Sequence, residues 1–159
     1  MTTDPVRIKP GVGLGEINIG MPAASLAAQF PSYHETNEQG WDTDRNEPFE
    51  LRVGWVNHDR YRNVWVFIET HDGLSVVTSV NSDDASLMLV TPTRTWQLMD
   101  VTENNVLEVF DALGVASNAV DVHHDEETPY SSFDAKTIGL CFVFNLNADP
   151  IVILATPAS

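Results

Sequence analysis

An apolar pattern recurs in this chain at a separation of about half its 159 residues, and it constrains the fold more than any single motif. Ile19-Gly20-Met21-Pro22, followed by Leu26 and Phe30, is matched 80 positions on by Met99-Asp100-Val101-Thr102, followed by Val106 and Phe110. Trp65-Val66-Phe67-Ile68 leads through His71-Asp72-Gly73 into Leu74-Ser75-Val76-Val77. At an offset of 76, Cys141-Phe142-Val143-Phe144 leads through Asn147-Ala148-Asp149 into Pro150-Ile151-Val152-Ile153. Each half reads as a short helix followed by an antiparallel strand pair. The expected class is α+β: two tandem copies of a short helix packed on an antiparallel β-sheet. Residues 1–82 would form the first copy and 83–159 the second, with room for both in one compact domain.

Local signals support those elements one by one. Pro22 suits the first turn of a helix, where no backbone donor is needed, and Leu26 and Phe30 lie one turn apart before Pro31 ends it. In the second helix Thr102 is the expected cap and Glu103 an acid in the first turn. Val106, Val109, Phe110 and Leu113 trace its apolar stripe, and Gly114 closes it. Period-2 alternation marks strands over Glu50–Val56, Asn63–Glu69 and Leu74–Val80. Leu51, Val53 and Trp55 share one face of the first; Val64, Val66 and Ile68 oppose Trp65 and Phe67 in the second. Further strands are expected over Ser86–Thr91, Ala119–Val122, Thr137–Leu146 and Ile151–Thr156. The third of these is apolar on both sides and so central. Ser32–Pro48 and Ser117–Asp134 read as largely polar loops.

The formal charge of −15 is uneven: residues 1–80 carry 11 acids against 6 bases, residues 81–159 carry 12 against 2. Such a field repels nucleic acid and anionic lipid and steers cationic partners inward. The single Cys141 cannot close an internal disulfide. Met1–Arg7 lacks an apolar stretch, and no apolar run approaches the ~18 residues of a membrane span. These features give the expectation of a cytoplasmic protein.

Four groupings of chemically capable residues fall short of a catalytic or metal signature. Gly11-Val12-Gly13-Leu14-Gly15 has Glu16 where a dinucleotide fingerprint needs its third glycine. Asp42-Thr43-Asp44-Arg45-Asn46 opens like a calcium loop, but Glu47 stands at the tight-turn glycine and Val53 at the bidentate acid. In His123-His124-Asp125-Glu126-Glu127 the adjacent histidines would point apart on a strand and could not share one tetrahedral ion. Cys141, between Leu140 and Phe142, sits in too apolar a setting for a reactive thiolate. No catalytic residue, metal site or cofactor is assigned, and the chain is read as a non-enzyme.

Two acidic loops that carry an aromatic are the better interaction candidates. Trp41 stands among Asp42, Asp44 and Glu47; Tyr130 follows Asp125, Glu126 and Glu127. Tryptophan and tyrosine dominate interface hot spots. The repeat alignment puts the loops at equivalent places between helix and hairpin, where they would form one composite surface.

The order of strand, Gly20-Met21, helix, loop and antiparallel strands resembles the small helix-plus-sheet unit of outer-membrane assembly lipoproteins, with Ile19-Gly20-Met21 matching in letters. Two such units in tandem resemble the β-lactamase inhibitory proteins, which cover an enzyme with a concave sheet and its loops. A small acidic binder also resembles the immunity proteins that neutralise bacterial toxins. No binding residue is carried over from these likenesses. The duplicated scaffold, the net charge and the absent catalytic set give the expectation of a protein-binding inhibitor, most concretely an immunity-type protein, that captures a basic partner such as a toxin through an acidic, aromatic-bearing surface. The alternative is an accessory domain that binds a small ligand or a partner subunit in the sheet concavity.

Overall fold

A computed structural model of the chain describes residues 5–58, 60–127, 129–145 and 148–158. The strand end expected at Leu146 and the turn expected at Asn147 lie outside the described residues. So do the start of the chain at residues 1–4 and residues 59, 128 and 159.

The chain opens with three two-residue strands, β1 (Ile8–Lys9), β2 (Gly13–Leu14) and β3 (Ile17–Asn18), followed by helix α1 (Ala23–Gln29). Four long strands come next: β4 (His34–Asp42), β5 (Glu47–His58), β6 (Tyr61–His71) and β7 (Leu74–Ser82). A small hairpin, β8 (Met88–Val90) and β9 (Thr95–Gln97), precedes helix α2 (Val106–Ala112). The last strands are β10 (Asp121–His124), β11 (Tyr130–Ala135), β12 (Leu140–Asn145) and β13 (Ile151–Ala155). Eight of these strands make one antiparallel sheet in the order β10-β11-β12-β13-β7-β6-β5-β4.

This architecture corrects the expected α+β class. Half of the chain is strand and 15% is helix, and one large sheet takes the place of two balanced helix-on-sheet copies. Two causes account for the difference. Each α-helix has only seven residues, about two turns, and cannot form a layer of its own. Much of what reads as loop pairs as strand instead: β4 hydrogen-bonds along β5 from His34↔Trp55 to Asp42↔Glu47, and β11 runs along β12 from Tyr130↔Asn145 to Ala135↔Leu140. The sheet is closed at its middle by β7 pairing with β13, Ser82 opposite Val152 and Ser79 opposite Ala155.

Two smaller expectations are also revised. α2 begins at Val106 and not beside Thr102, whose carbonyl accepts from the Val106 amide at 2.9 Å. Glu103 is thereby left outside the helix. The strand expected from Thr137 starts at Leu140, because Lys136–Ile138 forms a 3₁₀ turn ended by Gly139 at φ 65°.

Strand pairing sorts the side chains onto two faces. On the covered face one row runs Gly54, Val66, Val80, Leu154, Leu140 and Ala135; the next runs Val56, Val64, Ser82, Val152, Phe142 and Phe133. Leu26 of α1, Phe110 of α2, Leu14, Ile17, Leu89 and Trp96 pack on these rows in a single core. The Phe110 and Phe142 rings meet at 5.6 Å. On the opposite face one residue from each strand forms a continuous row: His34, Trp55, Trp65, Asn81, Ile153, Cys141, Asp134 and Asp121. Val53 and Val143 are buried on that face yet stand apart from the core. Apolar residues line both sides of β6 and β12 as the sequence pattern requires.

Candidate functional site

A polar–apolar groove of about 680 Å³ lies at the β10 edge of the sheet. Three segments build it: residues 99–104 ahead of α2, the β10–β11 turn, and residues 148–150 ahead of β13. Asn105 holds the first segment, its Oδ1 accepting from the Thr102 amide at 2.8 Å and its Nδ2 donating to the Asp100 carbonyl at 2.8 Å. The β10–β11 turn is closed by the Asp125 amide donating to the Tyr130 carbonyl at 2.9 Å and the Glu127 amide donating to Asp125 Oδ1 at 3.0 Å.

Ser131 and Phe144 are cross-strand partners on the covered face and line the groove. Phe144 is fixed by the Phe133 ring at 5.7 Å, which also meets the His124 ring at 6.0 Å. Tyr130, Val101 and Met99 add apolar wall, while Glu103, Asp125 and Asp149 supply carboxylates; among the described residues His124 lines the groove but no lysine or arginine does. Ser131 Oγ is shielded from solvent and, among the described residues, has no hydrogen-bond partner. A buried hydroxyl left unpaired costs folding free energy unless something binds it. The groove thus offers aromatic surface for an alkyl stem and carboxylates for a cationic head.

Of the expected site residues, Asp125 and Tyr130 line this groove, with Glu126 and Glu127 exposed in the adjoining turn. Trp41, Asp42, Asp44 and Glu47 belong to the β4–β5 hairpin, where Trp41 is 56% exposed and so protrudes. Asp42 there accepts from the Asp44 and Arg45 amides and faces Arg45 Nε at 3.9 Å. The two groups do not meet in one composite surface. β4 and β10 are the opposite edges of the sheet, seven strand spacings or roughly 30 Å apart, and the two hairpin tips project from opposite ends. Sequence reasoning missed Glu103, Ser131, Phe144 and Asp149. None carries a motif, and the strand pairing alone brings them together.

His123 pairs with Ser132 and His124 with Ser131, so the adjacent histidines lie on opposite faces. Cys141 lies on the uncovered face beside Asp134, and burial together with that carboxylate pushes its thiol up to about 12. It is a poor nucleophile. The uncovered face also holds the Trp55 and Trp65 rings at 6.3 Å and the His34 ring stacked on Trp55 at 6.5 Å, with Trp55 Nε1 donating to Thr36 Oγ1 at 2.7 Å.

A polar strap crosses the other end of the sheet. Arg52 Nε donates to Glu35 Oε1 at 2.6 Å and Arg52 Nη1 to Ser75 Oγ at 2.7 Å, while Tyr33 donates to Glu35 Oε2 at 2.7 Å. Arg52 holds the Glu35 carboxyl below its usual range, and burial raises the Tyr33 phenol. Every member of this strap is matched to another, which is the signature of a structural tie.

No family model and no curated protein matches the chain. The crystal structure of the uncharacterized protein yfeY from Escherichia coli is similar at 12% sequence identity with a TM-score of 0.50, covering 96% of this chain and 99% of that one. That likeness extends over nearly the full length and concerns the fold alone. Among the described residues no helix is long and apolar enough to cross a membrane.

Asp134 gives a pH-dependent readout of the uncovered face. Burial is the main cause of its raised pKa, with Asp121 adding to it and Lys136 opposing it. The folded state therefore holds this proton more tightly than the unfolded chain, and stability falls as pH rises from the ordinary value of 3.8 through the raised folded value. Asp134→Asn should raise the melting temperature at pH 7 by about 1–2 °C, a small gain because much of the group is screened by solvent. Below the ordinary carboxylate range the gain should vanish. Thermal melts at several pH values check this, and a variant less stable at pH 7 than at pH 3, relative to the parent, would refute it.

Proposed function

We propose that this chain is a non-enzymatic binding protein whose groove at the β10 edge receives a lysine or arginine side chain of a basic protein partner. The carrying observation is the combination of Phe144 and Tyr130 with three carboxylates in one groove that, among the described residues, no lysine or arginine lines. The partner's alkyl stem lies along the aromatic wall and its charged head sits among Glu103, Asp125 and Asp149. The charge of −15 supplies the steering field for encounter. An immunity-type inhibitor of a toxin is the most concrete form of this reading. A second form, a partner subunit laid on the uncovered sheet face, is favoured by the half-buried Trp55, Trp65, Phe67 and Ile153 there.

Comparative capture tests the groove reading. The chain and its Glu103→Gln/Asp149→Asn double variant serve as baits in extract from the native host, washed at low and at high salt. The parent should retain a basic protein that the variant loses, and salt should weaken capture. Equal recovery on both baits would remove the groove from the interface; a partner retained by both but lost on Trp65→Ala would move it to the uncovered face. For the toxin form, co-expression of the captured partner should arrest growth unless the parent chain is present.

A further inference from the structure

We infer that a second cleft, on the far side of the charge balance, binds a small molecule bearing a phosphate group. Arg7, Lys9 and Arg60 line a cavity of about 470 Å³ together with Gly15, Glu16 and Met88. The chain has only 8 bases against 23 acids, yet three of the bases converge here. Of the other five bases, four are engaged: Arg45 with Asp42, Arg52 with Glu35, Lys136 with Asp121, and Arg94 at 3.7 Å over the Trp96 ring; Arg62 is exposed on β6. Among the described residues Arg7, Lys9 and Arg60 form no ion pair with a carboxylate.

The backbone holds these three in place. Arg7 is bridged in parallel to Met88, and its carbonyl accepts from the Gly15 amide at 3.0 Å. Lys9 Nζ donates to Asn18 Oδ1 at 3.3 Å. Arg60 sits in the β5–β6 turn, its guanidinium carbon 5.7 Å from the Tyr61 ring, and Tyr61 OH accepts from the Glu16 amide at 2.8 Å. That bond ties the turn bearing Arg60 to the turn bearing Glu16, across the cleft from β1. Arg60 Nε is shielded from solvent and, among the described residues, has no hydrogen-bond partner.

Three cations held close repel one another, and a buried guanidinium donor without an acceptor is costly. A phosphate offsets that repulsion with a charge shared among Arg60, Arg7 and Lys9. Glu16 contributes one opposing charge at the rim and limits the site to a small, strongly anionic group. The surrounding field of −15 expels loosely held anions, so any saturable anion binding reports a local site.

The test is an amide-resolved NMR titration of the full chain with inorganic phosphate and pyrophosphate at constant ionic strength, alongside thermal melts. Saturable shifts confined to the amides of Arg7, Lys9, Gly15, Glu16 and Arg60 are expected, with a higher melting temperature. Arg60→Gln should weaken binding at least tenfold, Arg7→Gln should do the same from an exposed position should the first variant fold poorly, and Arg94→Gln should leave binding unchanged. Shifts that chloride reproduces, or that survive both cleft variants, would overturn the assignment. Sedimentation with phosphatidic acid vesicles without any response to the free anions would overturn it too, by placing the phosphate on a lipid headgroup.

Discussion

Gly139→Ala should destabilise the chain by about 3 kcal/mol, whereas Gly114→Ala should cost only about 1 kcal/mol. Both glycines have left-handed backbones, at φ 65° and φ 83°. Any L-residue pays for that conformation, so the shared part of the cost is of order 1 kcal/mol. The surroundings differ. A Cβ on Gly114 would meet nothing within 4 Å, while one on Gly139 would overlap the Ala155 carbonyl oxygen and lie 2.9 Å from Gly11 Cα. Neither neighbour is a flexible side-chain end. The Ala155 amide donates to the Gly139 carbonyl at 3.1 Å, and the Ala158 amide to the Lys136 carbonyl at 2.8 Å. Making room at Gly139 therefore pushes the end of β13 away from β12. β13 is also the strand that joins the sheet to β7, so the disturbance reaches its middle. Urea unfolding of the parent and both variants measures the difference. Equal losses would mean that crowding at Gly139 is absorbed without strain.

How much of this was legible follows from which forces leave a local trace. Burial leaves a strong one: the alternation of Val64, Val66 and Ile68 against Trp65 and Phe67, and the double-sided apolar run of β12, mark strands because water is excluded from one or both faces. The helix positions Leu26, Val106, Val109 and Phe110 are equally visible, and all are buried. Edge strands leave almost none. β4 carries His34, Glu35, Asn37 and Glu38 in exposed positions and is held by backbone hydrogen bonds to β5, which any residue except proline can make. Its polar letters read as loop. β11 is similar, since Ser131 and Ser132 hide an alternation that Phe133 and Ala135 complete.

The candidate site was readable in part for the same reason. Tyr130 in an acidic turn is conspicuous as a large side chain without a local reason to be buried. Glu103 and Asp149 are two of many acids, and Ser131 one of many serines, until the sheet order sets them around Phe144. The register across β7 and β13 is a long-range pairing with no local code, and it is what sends the two acidic hairpins to opposite corners. An alignment of repeats gives equivalence along the chain and says nothing of proximity in space.

That separation lets two aromatic variants tell the surfaces apart. Tyr130→Ala should weaken capture of the basic partner by about 100-fold, within the range of a hot-spot aromatic that becomes buried on binding. Trp41→Ala should leave the same affinity within about twofold. Tyr130 is 38% exposed in the free chain and Trp41 56%, so neither variant removes a core contact, and both should fold with parental stability. An interface of standard size covers about 800 Å² of each partner, a patch roughly 30 Å across that can be centred on the groove without reaching the opposite corner. Affinity measured by calorimetry or surface binding at two salt concentrations separates the contributions. The Tyr130 loss should persist at high salt because it is apolar contact, while the loss in Glu103→Gln/Asp149→Asn should shrink as salt screens it. A large effect of Trp41→Ala with none of Tyr130→Ala would place the partner on the β4–β5 hairpin and leave the groove without its proposed occupant.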